Sequence, residues 1–99
     1  MGAIYTIPEL REMLSPVFSR YDVRKAVLFG SYAKQQATAE SDIDILVDSG
    51  LRGLRFVGLM EEVRRAVGSE IDLLDVSHIE KGSLIDQEIR NTGVIVYEK

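Results

Sequence analysis

The sequence predicts an α/β (α+β) domain, a mixed β-sheet flanked by helices. Three observations predict it. Some stretches repeat apolar residues with helical spacing, while others are compact apolar runs or strict alternations. The two kinds of stretch take turns along the chain in the order α-β-α-β-α-β-α-β. The 99 residues, 45 % apolar and 28 % charged, have the size and composition of one globular domain spanning 1–99.

Each element follows from its residues. Thr6-Ile7-Pro8-Glu9 reads as a helix start, with Thr6 as N-cap, Glu9 at the capping-box position and Pro8 in the first turn. Leu10, Met13, Leu14, Val17, Phe18 and Tyr21 then mark one helical face. Pro16 lacks an N–H and crowds the preceding turn, which predicts a kink or two short helices sharing one apolar stripe. Lys25 to Phe29 is a buried-strand pattern ended by Gly30, and Ser31 to Ala37 is compatible with a short helix. From Asp42 to Asp48 the alternation is plain, with Ile43, Ile45 and Val47 on one face and Asp42, Asp44, Leu46 and Asp48 on the other.

A loop over Gly50 to Gly53 leads to an amphipathic helix marked by Phe56, Leu59, Met60, Val63 and Val67 and stopped by Gly68. Glu70 to Val76 reads as a third strand. Leu84, Ile85 and Ile89 predict a short helix before Asn91-Thr92-Gly93, and Val94 to Tyr97 predicts the last strand.

Composition excludes several chemistries. With no cysteine there is no disulfide scaffold, thiolate zinc site or cysteine nucleophile. A single histidine, His78, excludes a His-rich metal site. Sixteen acidic against twelve basic residues give a net charge of −4, the wrong balance for following a long nucleic acid. No apolar run approaches the roughly 18–20 residues of a membrane span, and the first residues lack the pattern of a signal peptide. Gly2 and Thr6 match part of a myristoylation start, but no polybasic segment supports a membrane anchor. The expectation is a soluble, cytoplasmic protein.

The chemically informative region is Phe29-Gly30-Ser31, followed after ten residues by Asp42-Ile43-Asp44. Gly30 leaves a strand without a Cβ, so a ligand oxygen can approach the backbone, and Ser31 adds a hydroxyl donor. If a helix starts there, its unpaired N–H groups form an anion cradle. Asp42 and Asp44, at i and i+2 on a strand, project from one face roughly 7 Å apart. Like charges so placed raise each other's pKa. A divalent cation relieves that repulsion, and oxygen ligands suit Mg²⁺. Asp72 supplies a third carboxylate from the next strand, so a two-metal phosphoryl-transfer site is compatible with the set. A calcium hand is not, because Leu46 and Val47 stand where its loop needs a further oxygen ligand and a glycine.

Leu28-Phe29-Gly30-Ser31-Tyr32-Ala33 and Ser41-Asp42-Ile43-Asp44-Ile45-Leu46-Val47, with their ten-residue spacing, resemble the G-S-x10-D-x-D signature of the minimal nucleotidyltransferases of the DNA polymerase β superfamily. The resemblance runs from the first helix to the last strand and implies the polymerase β-like fold, a mixed sheet flanked by helices. It implies transfer of AMP from ATP to a hydroxyl with release of pyrophosphate. It assigns Gly30, Ser31 and Lys34 to the triphosphate, Asp42, Asp44 and Asp72 to catalysis and to two Mg²⁺ ions, and to Asp72 a share in deprotonating the acceptor. Small proteins of this type are often antitoxins paired with HEPN-domain toxins, which they neutralise by attaching AMP to a tyrosine, by binding, or both. A HEPN toxin is therefore the expected partner, and an oligomer is compatible. Two alternatives stand beside this role: a catalytically silent module that acts by binding, and the catalytic half of a two-component small-molecule nucleotidyltransferase. One departure bears on activity. Lys34-Gln35-Gln36 replaces the family's usual Arg-Gly, and Lys34 keeps the charge without arginine's bidentate fork.

The remaining residues have plainer readings. His78 is expected in an exposed turn, and Asp48 and Asp75 as surface carboxylates at strand ends. Tyr32 is expected to pack beside the Gly-Ser turn. Arg52, Arg55, Arg64 and Arg65 are expected on a solvated face. Leu51, Leu54 and Phe56 are expected mostly in the core, with part of the cluster free to form a partner-facing apolar patch.

Overall fold

A computed structural model of the chain describes residues 4–34, 36–38 and 41–99. Gly2 and Gln35, singled out in the sequence, lie outside these residues. Four strands form one sheet: β1 (Lys25–Phe29), β2 (Ile43–Asp48), β3 (Ile71–Asp75) and β4 (Val94–Glu98), in the order β3-β2-β1-β4. β1 runs antiparallel to β2 and to β4, whereas β2 and β3 are parallel, so the sheet is mixed as expected. A parallel pair needs a crossover. Helix α2 (Leu54–Val67) supplies it.

Helix α1 (Ile7–Arg20) starts on the expected capping box: Thr6 Oγ1 accepts from the Glu9 N–H at 3.2 Å, and Glu9 Oε1 accepts from the Thr6 N–H at 2.8 Å. α1 and α2 pack on each other and against the sheet. Strand alternation sends Leu28, Ile43, Ile45 and Val47 to this side, where they meet Leu10, Leu14, Phe18, Leu59 and Val63 in the core. Phe29 and Leu46 are buried outside that cluster, on the opposite parity. Helix α3 (Leu84–Thr92), capped by Ser83, packs against β1. No helix among the described residues is long and apolar enough to cross a membrane.

Some expectations are narrowed and others corrected. Of the two outcomes expected at Pro16, two short helices are excluded: α1 passes through it as one helix with one apolar stripe. The proline and Glu12, whose carbonyl loses its helical partner, are both exposed residues, and the buried stripe stays continuous. Ser31 to Lys34 form turns and Gln36 and Ala37 are irregular, so no helix follows Gly30 among the described residues. Phe56 is buried and Leu51 packs partly against the core, as expected of most of that cluster, while Leu54 at the start of α2 is the part left 88 % exposed.

Asp75 is a further correction. It is 2 % exposed and is a structural acceptor, not a surface carboxylate. Its Oδ1 accepts from the Ser49 N–H and hydroxyl at 3.1 and 2.6 Å, and its Oδ2 from the Ser77 N–H and hydroxyl at 3.0 and 2.7 Å. One carboxylate thus ties the segment after β2 to the 3₁₀ turn (Val76–His78) after β3. His78 is exposed as expected, yet its Nδ1 accepts from the Asp75 N–H at 3.3 Å and its ring stands edge-on to Phe56.

Burial pushes the Asp75 carboxyl up, but the hydrogen bonds from Ser49 and Ser77 outweigh it and hold the group below its ordinary value. A depressed pKa stabilises the fold above the unfolded value, and that contribution disappears as pH falls through the folded one. Asp75→Asn is expected to lower stability by about 2–4 kcal/mol at pH 7, measured by urea unfolding. The gap between the two proteins should shrink as the pH is taken below about 4.

Candidate functional site

The site is set by strand register. Asp44 on β2 lies opposite Asp72 on parallel β3 and opposite Phe29 on antiparallel β1. Register partners on neighbouring strands sit about 4.8 Å apart with side chains on the same face. Asp44 and Asp72 are therefore neighbours, and the residue after Phe29 is brought to Asp44 as well. That residue is Gly30, whose φ is +72°. A Cβ there would collide with Asp44 Oδ2 and come within 3.2 Å of its Cγ. Glycine is required twice over, by the backbone angle and by the carboxylate that fills the space.

Asp42 precedes β2 and is exposed, and it shares parity with Asp44. Its charge reaches Asp44. Burial first, then the negative charges of Asp72, Asp42 and Glu88, push the Asp44 carboxyl up to about 6. Three of the sequence-derived carboxylates thus gather at one end of the sheet. The turn after β1 forms the rim: the Lys34 N–H donates to the Gly30 carbonyl at 3.2 Å and the Gln36 N–H to the Ser31 carbonyl at 2.8 Å. Because this is a turn, the expected cradle of helix N–H groups is replaced by turn backbone. Tyr32 is buried in the core beside it, as expected.

Glu88 was not legible in the sequence. It comes from α3, and its Oε1 lies 2.6 Å from Lys34 Nζ. The pair joins the turn after β1 to the last helix, a contact between distant segments that no local pattern announces. Arg52, Arg55, Arg64 and Arg65 are exposed, in keeping with a solvated face.

Among the described residues, no three His, Cys, Asp or Glu side chains converge as a ready-made metal cage. The donor set nevertheless fits a hard cation. It consists of carboxylate oxygens only, and the mutual repulsion that raises the Asp44 pKa is the repulsion a bound cation would relieve.

The family description "Polymerase beta, Nucleotidyltransferase" matches residues 12–99. A Methanocaldococcus jannaschii protein with the provisional name protein adenylyltransferase is 35 % identical over 92 residues, covering 91 % of this chain and 97 % of its own. The protein adenylyltransferase MntA of Thermococcus cleftensis is 33 % identical over 88 residues, covering 81 % and 87 %. Among solved structures, a toxin–antitoxin with AMP-PNP superposes with a TM-score of 0.76 at 22 % identity, covering 90 % of this chain and 73 % of the other. The MNT antitoxin in complex with a tri-AMPylated Shewanella oneidensis HEPN toxin gives 0.71 at 19 % identity, covering 95 % and 74 %. At these identities the structures establish the fold.

Two outcomes follow from the geometry. Gly30→Ala is expected to lower stability by about 1–2 kcal/mol through the left-handed backbone. Its effect on nucleotidyl transfer should be larger still, since the new Cβ evicts the Asp44 carboxylate; urea unfolding beside initial rates separates the two. For Asp44, a folded pKa of about 6 against an ordinary 3.8 means that stability falls as pH rises through that window. Without metal, Asp44→Asn is expected to be more stable than the parent at pH 7.5 by on the order of 1 kcal/mol, and equal to it near pH 4, by thermal unfolding.

Proposed function

Because this chain belongs to the polymerase beta nucleotidyltransferase family, we propose that it transfers AMP from ATP to a hydroxyl of a partner protein, and that the partner is a HEPN-type toxin which it neutralises as an antitoxin. The observation that carries the chemistry is the alignment of Gly30, Asp44 and Asp72 across three neighbouring strands. The relatives named protein adenylyltransferase and the fold shared with antitoxins support the choice of acceptor and partner.

In this reading the Gly30–Lys34 turn receives the β- and γ-phosphates, with the Ser31 hydroxyl and the Lys34 ammonium as donors. Asp42, Asp44 and Asp72 would hold Mg²⁺, which when bound neutralises phosphate charge and acidifies a coordinated hydroxyl. Asp72, exposed beside Asp44, accepts the proton of the acceptor, a tyrosine hydroxyl. The acceptor oxygen forms its bond to the α-phosphorus, the bond to the bridging oxygen breaks, and pyrophosphate leaves. No histidine is needed, in keeping with a His78 engaged by Asp75 and Phe56.

One observation favours a second reading, neutralisation by binding alone. Lys34 stands where the family usually has arginine, and it is engaged by Glu88. The experiment is transfer of label from α-labelled ATP, with Mg²⁺, onto whatever co-purifies with the full chain. Labelling of the partner, reduced at least a hundredfold in Asp42→Asn, is the expected outcome, as about 3 kcal/mol of transition-state stabilisation would dictate. A stable complex with no label transferred would leave the binding-only module.

A further inference from the structure

One charge at the site has no role in the chemistry above: the Glu88 carboxylate. It raises the pKa of Asp44, so it adds a fourth negative group to a cluster of three. Unpaired, such a group would oppose the approach of a triphosphate. It is not unpaired, because Lys34 Nζ lies 2.6 Å away with both side chains partly shielded, at 40 % and 33 % exposure.

Both ends of the pair are anchored. Lys34 begins one hydrogen-bonded turn after Gly30. Glu88 sits mid-way along α3, and α3 packs against β1: a Cβ at Gly93, the C-cap of α3, would come within 2.7 Å of Val27 Cγ1. Between these anchors the lysine is a flexible four-carbon stem carrying a point charge, with considerable rotamer entropy to lose when it binds. An arginine at 34 would orient two phosphate contacts through its planar fork, and a lysine has no such fork. A carboxylate opposite it confines the ammonium to the rim of the turn. One of its three N–H donors serves Glu88, leaving two for phosphate oxygens.

We propose that Glu88 is a positioning residue for nucleotidyl transfer, holding the Lys34 ammonium at the rim of the Gly30–Lys34 turn where it meets the β- and γ-phosphates of the nucleoside triphosphate. This inference rests on the reading of Lys34 as a triphosphate contact, and the test separates the two. Equilibrium binding of AMP-PNP and of AMP, both with Mg²⁺, is measured on the full chain and its variants. Lys34→Met is expected to weaken AMP-PNP about tenfold or more and to leave AMP unchanged. Glu88→Gln is expected to weaken AMP-PNP about two- to fivefold, again without affecting AMP. Combined with Lys34→Met, Glu88→Gln should add nothing. Lys34→Arg in the Glu88→Gln background should restore binding, which a merely structural role for Glu88 would not produce.

If Lys34→Met leaves AMP-PNP binding intact, the reading of Lys34 fails and the inference with it. If Lys34→Met weakens binding while Glu88→Gln leaves it unchanged or tightens it, the lysine reading stands and the positioning role is overturned. Glu88→Asp, which keeps the charge on a shorter stem, replaces Glu88→Gln should that variant fail to fold, and a loss confined to AMP-PNP is again the expected result.

Discussion

The Asp44 carboxylate occupies the volume that a side chain at residue 30 would need, and much of the molecule is arranged around that contact. β1 must end at Phe29 so that the chain turns away through a left-handed glycine. β2 must pair with β1 in one register so that Asp44 faces that turn, and β3 must lie parallel so that Asp72 falls beside it. The crossover through α2 follows from the parallel pairing, and α2 brings Phe56, Leu59, Val63 and Val67 into the core with it. A single carbon atom's absence therefore connects the backbone geometry to the electrostatics of the acidic cluster.

The cost of that arrangement is visible in the same residue. Asp44 is partly withdrawn from water and faces other negative groups, so its ionised form is disfavoured. Asp75, on the opposite parity of the adjacent strand, shows the reverse solution: deeper burial, but four donors from Ser49 and Ser77. The two aspartates lie on neighbouring strands and differ in what surrounds them. One is held by donors and ties loops together, while the other faces like charges where a positively charged ligand would be welcome.

Much of this was legible in the residues. The element order, the capping box at Thr6 and Glu9, the mixed sheet and the gathering of Gly30, Asp42, Asp44 and Asp72 follow from periodicity and spacing. What was not legible depends on partners distant in sequence or on local exposure. Parity placed Asp75 away from Asp72, but only the packed loops show that serine donors bury it. Pro16 falls on the exposed side of α1, as does Glu12, whose carbonyl it deprives, and the apolar pattern alone does not say that one helix runs through it. A short polar stretch after Ser31 carries too little periodicity to distinguish a helix from turns, and the pairing of Lys34 with Glu88 exists only once α3 has packed against β1.

The alternation along β2 has a consequence for how such a chain can change. Ile43, Ile45 and Val47 hold the core, while Asp42 and Asp44 serve the acidic end of the opposite face. Substitutions at the even positions can alter chemistry while leaving the core's side chains in place. A one-residue insertion or deletion within the strand has no such freedom: it would turn isoleucines to the acidic face and drive carboxylates into the interior. Gln36 to Thr38, which lie outside the ladder, can vary in number as loop residues do. Divergence in this fold should therefore be tolerant of indels before the Asp-x-Asp strand and intolerant of them inside it, with folding and catalysis lost in the same event.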